Sequence, residues 1–272
     1  MLAVLVTACG GGNSAEEGDV IPLPMIQIEI TPHKLAYSQQ AIFSMSGSGL
    51  AELHETTVQS CDNVVLKRSS ADALDTVTCT VSATGDLVVE LKDKQGTIIA
   101  VKSFFVPEPQ VALNTNFGSI LLELNPAAAP LTVRNFLDYV NAGFYNDTLI
   151  HRIVAGFVAQ GGWLTSAPAV QTGLKDPITL ESNNGLLNVR GSIGMARTSE
   201  HNSATSQYYF NLVDNPALDF VSPAQPGYAV FGKVVEGIEF MDEIGKVGTG
   251  NRYGLANVPL SPVVVLSAIQ KQ

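Results

Sequence analysis

Arg152, Phe157 and Gln160 set one guanidinium, one aromatic ring and one side-chain amide within nine residues, in the stretch His151-Arg-Ile-Val-Ala-Gly-Phe-Val-Ala-Gln-Gly-Gly162. No serine nucleophile, paired acid or metal-ligand set accompanies them. Such a group suits a reaction that makes and breaks no σ bond and needs only a shaped apolar slot with a few aimed hydrogen-bond donors. Rotation about the bond before a proline is a reaction of that kind. A core strand with an incidental surface arginine is the plainer reading of this dodecamer taken alone.

The elements around it must hold such a slot. Residues 111–124 read as two strands about an Asn-Phe-Gly turn. Pro130 opens a helix in which Val133, Phe136, Leu137 and Val140 recur at i, i+3, i+4 and i+7, with Gly143 just past its end. A second helix is expected over Val235–Ile244, with Ile238, Met241 and Ile244 inward and Gly245 as the stop. The remainder reads as strand and long loop, ending in Pro262-Val-Val-Val-Leu-Ser-Ala. Two helices with about eight strands suit a closed antiparallel barrel capped by helices.

Ahead of Pro107-Glu108-Pro109, a stiff boundary, the signals are those of short strands. Ile26, Ile28 and Ile30 alternate with polar residues, and the runs at 41–46, 76–81, 87–91 and 97–106 read similarly, with turns at Thr84-Gly-Asp and Lys94-Gln-Gly. The expectation is a small immunoglobulin-like β-sandwich over 25–106, of unassigned role, followed by the barrel domain over 109–272. No chemistry is visible in the first of these. His54-Glu-Thr-Thr-Val58 is not a zinc-binding HExxH, and the chain lacks the GxSxG nucleophile elbow.

Composition narrows the function further. The 272 residues are 46% hydrophobic and 15% charged, enough to build real cores. The net charge is −10, and residues 1–108 carry 6 basic against 13 acidic side chains. Neither half offers the basic face that a phosphate backbone demands, so nucleic acid is a poor partner. No apolar run reaches the roughly 18–20 residues of a membrane-spanning helix.

The first nine residues are apolar and end in Val6-Thr-Ala-Cys9, similar to the bacterial lipobox whose cysteine is acylated after cleavage. Residues 10–19 follow as a Gly-rich acidic tether, and residues 1–24 together read as a truncated signal and flexible leash. With Cys9 assigned to lipid, Cys61 and Cys79 remain as an even pair. An exported protein occupies an oxidising space, so a disulfide between them is expected, worth roughly 3 kcal/mol in the chain-entropy picture. No Cys/His spacing suggests zinc, and neither metal nor cofactor is expected.

Residues from about Val111 to Ala268 resemble the cyclophilins, and among them the bacterial periplasmic type of peptidyl-prolyl cis-trans isomerase. The agreeing segments are 133–146, 151–162, Gly191-Ser-Ile-Gly-Met-Ala-Arg-Thr198, Ser203-Ala-Thr-Ser-Gln-Tyr-Tyr-Phe-Asn211 and Gly227-Tyr-Ala-Val-Phe-Gly-Lys-Val234, in the family's order and spacing. The stretch before Pro107 lies outside the resemblance.

By that resemblance, Arg152 is the catalytic arginine, Phe157 and Val158 line the proline pocket, and Gln160 hydrogen-bonds the substrate backbone. Ala196 and Arg197 belong to the segment whose backbone pairs with the peptide, and Gln207 is a polar neighbour of the site. Tyr209 replaces the usual pocket Phe, Leu218 is an apolar wall residue, and Tyr228 stands where many members have His. A buried hydroxyl on Tyr209 without a partner would cost roughly 1–3 kcal/mol, so it is expected to face solvent or a neighbour. Ala217 replaces a rim Trp, which implies weak binding of cyclosporin.

The implied function is isomerisation of X-Pro bonds in exported proteins, by a monomer tethered through lipid to a bacterial membrane. Gly10 after Cys9, rather than Asp, points by family analogy to the outer membrane. Two other readings stand beside it. One is a proline-peptide binding or chaperone module with little catalysis, supported by Tyr209 and Ala217. The other makes the sandwich a docking domain with the isomerase as passenger.

Overall fold

The computed structural model describes residues 27–33, 35–69 and 74–272. The lipobox with Cys9, the tether and Ile26 lie outside the described residues.

The described residues among 27–106 form seven strands: β1 (Gln27–His33), β2 (Gln40–Ser48), β3 (Glu55–Val58), β4 (Cys61–Lys67), β5 (Asp75–Val81), β6 (Gly85–Lys92) and β7 (Ile98–Val106). They make two antiparallel sheets, ordered β1-β2-β5-β4 and β3-β6-β7. Those are the two sheet orders of a constant-type immunoglobulin sandwich. Alternation produces the core. Ala41, Phe43 and Met45 of β2, Val77, Cys79 and Val81 of β5, and Leu87, Val89 and Leu91 of β6 all point inward.

Cys61 and Cys79 are disulfide-bonded, as the cysteine count implied. The bond joins adjacent strands β4 and β5 of one sheet and does not span the sandwich. β3 and β4 had no signal in the sequence. β3 has four mostly polar residues, and β4 lies at a sheet edge, where five of its seven residues are exposed and none is buried.

Eight strands then close a barrel: β8 (Gln110–Thr115), β9 (Gly118–Leu124), β10 (Thr148–Val154), β11 (Val158–Thr165), β12 (Ser192–Met195), β13 (Tyr208–Asn211), β14 (Val230–Glu236) and, past a hairpin of β15 (Thr249–Arg252) and β16 (Leu255–Pro259), β17 (Val264–Gln270). The order around it is β10-β11-β13-β12-β14-β9-β8-β17.

Helix α1 (Pro130–Asn141) buries Val133, Phe136, Leu137 and Val140, the face its periodicity implied. Its first turn is satisfied from far along the chain. The backbone N–H groups of Leu131 and Thr132 donate to the two carboxylate oxygens of Glu181 at 3.0 and 2.8 Å.

Helix α2 (Ile238–Gly245) starts three residues later than expected. Val235 and Glu236 extend β14 instead, where Glu236 pairs with Leu121. Gly237 makes the switch at φ +82°, and a side chain there would collide with the Ser119 carbonyl. Met241 and Ile244 are buried as expected, while Ile238 is only partly so. The β15–β16 hairpin is a further element the sequence did not reveal.

The two bodies touch. Tyr37, between β1 and β2, joins the barrel's core cluster, and its carbonyl accepts from Gln270 Nε2 at 3.0 Å. Glu108, in the connecting segment, accepts from Thr84 Oγ1 at 2.9 Å.

Candidate active site

Four neighbouring strands and a 3-10 turn build the site. The β10–β11 hairpin turns at Gly156 (φ +68°) and places Arg152 directly opposite Gln160. β13 pairs with β11 on the other side, so that Gln160 faces Tyr209, and Tyr209 in turn faces Gly194 of β12. Ala196 and Arg197 leave the end of β12, where the Ala196 N–H donates to the Gln207 carbonyl at 2.9 Å. A 3-10 turn, Pro216–Leu218, brings Leu218 over the same spot, and the Tyr228 N–H donates to its carbonyl at 2.9 Å.

Arg152, Phe157, Val158, Gln160, Ala196, Arg197, Tyr209, Leu218 and Tyr228 line one cleft of about 170 Å³. Its size suits one small ring rather than a drug-sized ligand, whose pockets run to roughly 300–1,000 Å³. Val158 and Tyr209 are buried, and Phe157 and Leu218 are half-buried; these four give the cleft an apolar side, while Arg152, Gln160 and Arg197 make the rest of its lining polar. Gln207 stands behind this lining. It accepts from Gln160 Nε2 at 2.9 Å, and Gln160 Oε1 lies 3.4 Å from an Arg152 guanidinium nitrogen. Arg152 makes no salt bridge among the described residues. Its guanidinium is aimed, with its charge uncommitted.

Arg197 differs in this respect. Its guanidinium donates to the Gly227 carbonyl at 3.1 and 2.8 Å and to the Thr198 carbonyl at 2.9 Å, and it lies over the Tyr228 ring at 4.6 Å. It therefore braces the Tyr228 wall. Tyr228 meets Tyr209 edge-on at 6.0 Å.

The Tyr209 hydroxyl resolves the question its presence raised. It turns away from the cleft and donates to the buried Asn188 Oδ1 at 2.6 Å. Burial is the main cause that raises its pKa well above the usual tyrosine value, so it stays a neutral donor. Ala217 is exposed in the 3-10 turn. Sequence reasoning missed Asn188 and Gly194. Asn188 sits in a loop between two exposed apolar residues, Leu187 and Val189, with no motif around it.

Residues 110–270 match the family model described as cyclophilin type peptidyl-prolyl cis-trans isomerase/CLD. The chain belongs to the cyclophilins. Peptidyl-prolyl cis-trans isomerase A of Dickeya dadantii is 49% identical over 158 residues, covering 58% of this chain and 82% of the relative. Peptidyl-prolyl cis-trans isomerase B of Escherichia coli is 43% identical over 159 residues, covering 58% of this chain and 96% of the relative. A crystal structure of a Cryptosporidium parvum cyclophilin type peptidyl-prolyl cis-trans isomerase shares the fold at a TM-score of 0.51 and 21% identity, covering 61% of this chain and 99% of that one. This cyclophilin is accordingly a peptidyl-prolyl cis-trans isomerase, and β1–β7 precede the part that matches.

Proposed function

We propose that the cleft holds the proline of an X-Pro segment and that Arg152 is the catalytic residue. The obstacle to isomerisation is amide resonance, a barrier of roughly 18–20 kcal/mol. Resonance is lost as the bond twists, and the proline nitrogen gains a localised lone pair. The permanently charged Arg152 donates a hydrogen bond to that lone pair, which the planar ground state hardly offers. This is preferential binding of the twisted form. Phe157, Val158, Tyr209 and Leu218 hold the pyrrolidine ring by burying it. Gln160, itself held by Gln207, and the backbone at Ala196 and Arg197 grip the flanking peptide, so that one side of the bond turns while the other stays fixed.

The observation that carries this reading is an arginine with no acidic partner among the described residues, lining one cleft together with Phe157, Val158, Tyr209 and Leu218. A Cryptosporidium parvum relative with the same fold was crystallised in the presence of the dipeptide Ala-Pro, which supports a proline-sized occupant. A protease-coupled assay on a short X-Pro peptide tests it. Arg152→Ala is expected to keep the fold and lose about 10²-fold in kcat/KM, in line with the loss of one aimed donor. An unchanged rate overturns the assignment of Arg152.

We further propose that the clients are exported proteins, and that a lipid on Cys9 tethers the enzyme to a bacterial membrane, the outer one by the family analogy of Gly10. The motif Val6-Thr-Ala-Cys9, the tether after it and the Cys61–Cys79 disulfide support this. Mass spectrometry of the native N-terminus tests the anchor, and an unmodified Cys9 overturns it. Residues 25–106 are proposed as a separate domain from the isomerase over 109–272, with the break at Pro107–Pro109.

A further inference from the structure

Behind the cleft lies a buried polar network that the isomerisation chemistry does not itself require. Asn188, Ser192, Asn211 and Asn215 are 1%, 4%, 2% and 7% exposed. The Asn188 backbone N–H and Nδ2 both donate to Asp219 Oδ1, at 2.7 and 3.0 Å. That carboxylate fixes which way the amide points, because an ionised carboxylate only accepts. Asn188 Oδ1 is thereby turned towards the pocket floor. There it accepts from the Tyr209 hydroxyl at 2.6 Å and from Asn211 Nδ2 at 3.1 Å, which fills both of its lone pairs.

The same network reaches a second wall. Asn211 Nδ2 also donates to Ser192 Oγ at 2.8 Å, and Asn211 Oδ1 accepts from Asn215 Nδ2 at 2.7 Å. Asn215 Nδ2 donates in addition to the Phe157 carbonyl at 3.0 Å. The Asn215 backbone N–H donates to the Asn188 carbonyl at 2.8 Å, and its own carbonyl accepts from Leu218 N–H at 2.9 Å. Three cleft residues, Tyr209, Phe157 and Leu218, are thus referred to one asparagine and its neighbours. A site built this way holds its geometry through supporting hydrogen bonds rather than through contact with the ligand.

We infer that Asn188, oriented by Asp219, is a positioning residue that fixes Tyr209 as the floor of the proline pocket and so sets the affinity for the X-Pro segment. This rests on the assignment of the cleft as the proline site. Asn188 itself touches no substrate. Its removal leaves a buried hydroxyl without an acceptor, and the ring then turns to find one, out of the plane that the proline packs on.

A double-mutant cycle on the full chain tests it, with peptide affinity measured by titration and kcat by protease-coupled kinetics. Asn188→Ala is expected to weaken the affinity for a short X-Pro peptide about tenfold, with kcat changed much less. In a Tyr209→Phe background, where no hydroxyl seeks an acceptor, the same change is expected to cost less than about twofold. A purely structural role predicts the same loss in both backgrounds, and that result overturns the inference. If Asn188→Ala does not fold, Asn188→Ser, which keeps an oxygen in a smaller side chain, goes through the same cycle with the same two outcomes. Absence of turnover in the wild type overturns the site assignment and this inference together, whereas an active wild type with equal losses overturns this inference alone.

Discussion

Gly194 lies directly beneath the ring of Tyr209: a methyl group on Gly194 would overlap the ring's Cζ and hydroxyl oxygen. The two are register partners across β12 and β13, so neither strand can give way without breaking the barrel. Gly194→Ala is expected to drive the ring into the cleft, lowering kcat/KM on a proline peptide about tenfold or more and costing roughly 1–3 kcal/mol of stability. Kinetics and denaturant unfolding check both. Unchanged kinetics in a folded variant would mean that the ring's position does not matter.

Tyr208 points the other way, into the barrel, among Phe136, Tyr145 and Phe210. Its hydroxyl is buried without a hydrogen-bond partner among the described residues. Tyr208→Phe keeps the ring packing and removes the orphan, so it is expected to stabilise by about 1 kcal/mol. Calorimetry would read this as a rise of roughly 2–4 °C in Tm. A fall in Tm would mean that the hydroxyl is satisfied after all.

His151 makes stability depend on pH. It is buried edge-on to Trp163 at 5.4 Å, and burial is the main cause that lowers its pKa from 6.5 to about 4. Between those values the unfolded chain binds the proton and the folded one does not. The contribution is therefore complete above about pH 6.5 and is lost as pH falls towards 4, on the order of 3 kcal/mol in all. Urea unfolding of the wild type and His151→Gln between pH 4 and 7 measures it. An equal slope in the two proteins would discard His151 as the cause.

The Cys61–Cys79 bond joins neighbouring strands of one sheet of the sandwich at a sequence separation of 18. Its loss through Cys61→Ser with Cys79→Ala is expected to cost roughly 3 kcal/mol. Peptide isomerisation is expected to stay intact, because the barrel has its own core cluster. A combined loss of turnover would show that the barrel depends on the sandwich.

Local pattern determined more of this molecule than its irregular parts suggest. The alternation in β2, β5 and β6 and the 3.6-residue period of α1 each mark a face that must be buried, so these elements were legible in the residues themselves. Arg152, Phe157 and Gln160 stood out by residue type and spacing, but the hairpin that sets Arg152 opposite Gln160 belongs to the structure. β3, β4 and the β15–β16 hairpin were not legible, since edge strands bury too little on either face to leave a period. The start of α2 falls just after Gly237, where the Ser119 carbonyl, from a segment more than a hundred residues away, leaves no room for a side chain. The direction of the Tyr209 hydroxyl likewise waited on Asn188 and Asp219. A partner for a buried polar atom is chosen by proximity in space, and nothing in the order of residues encodes that proximity until the barrel closes.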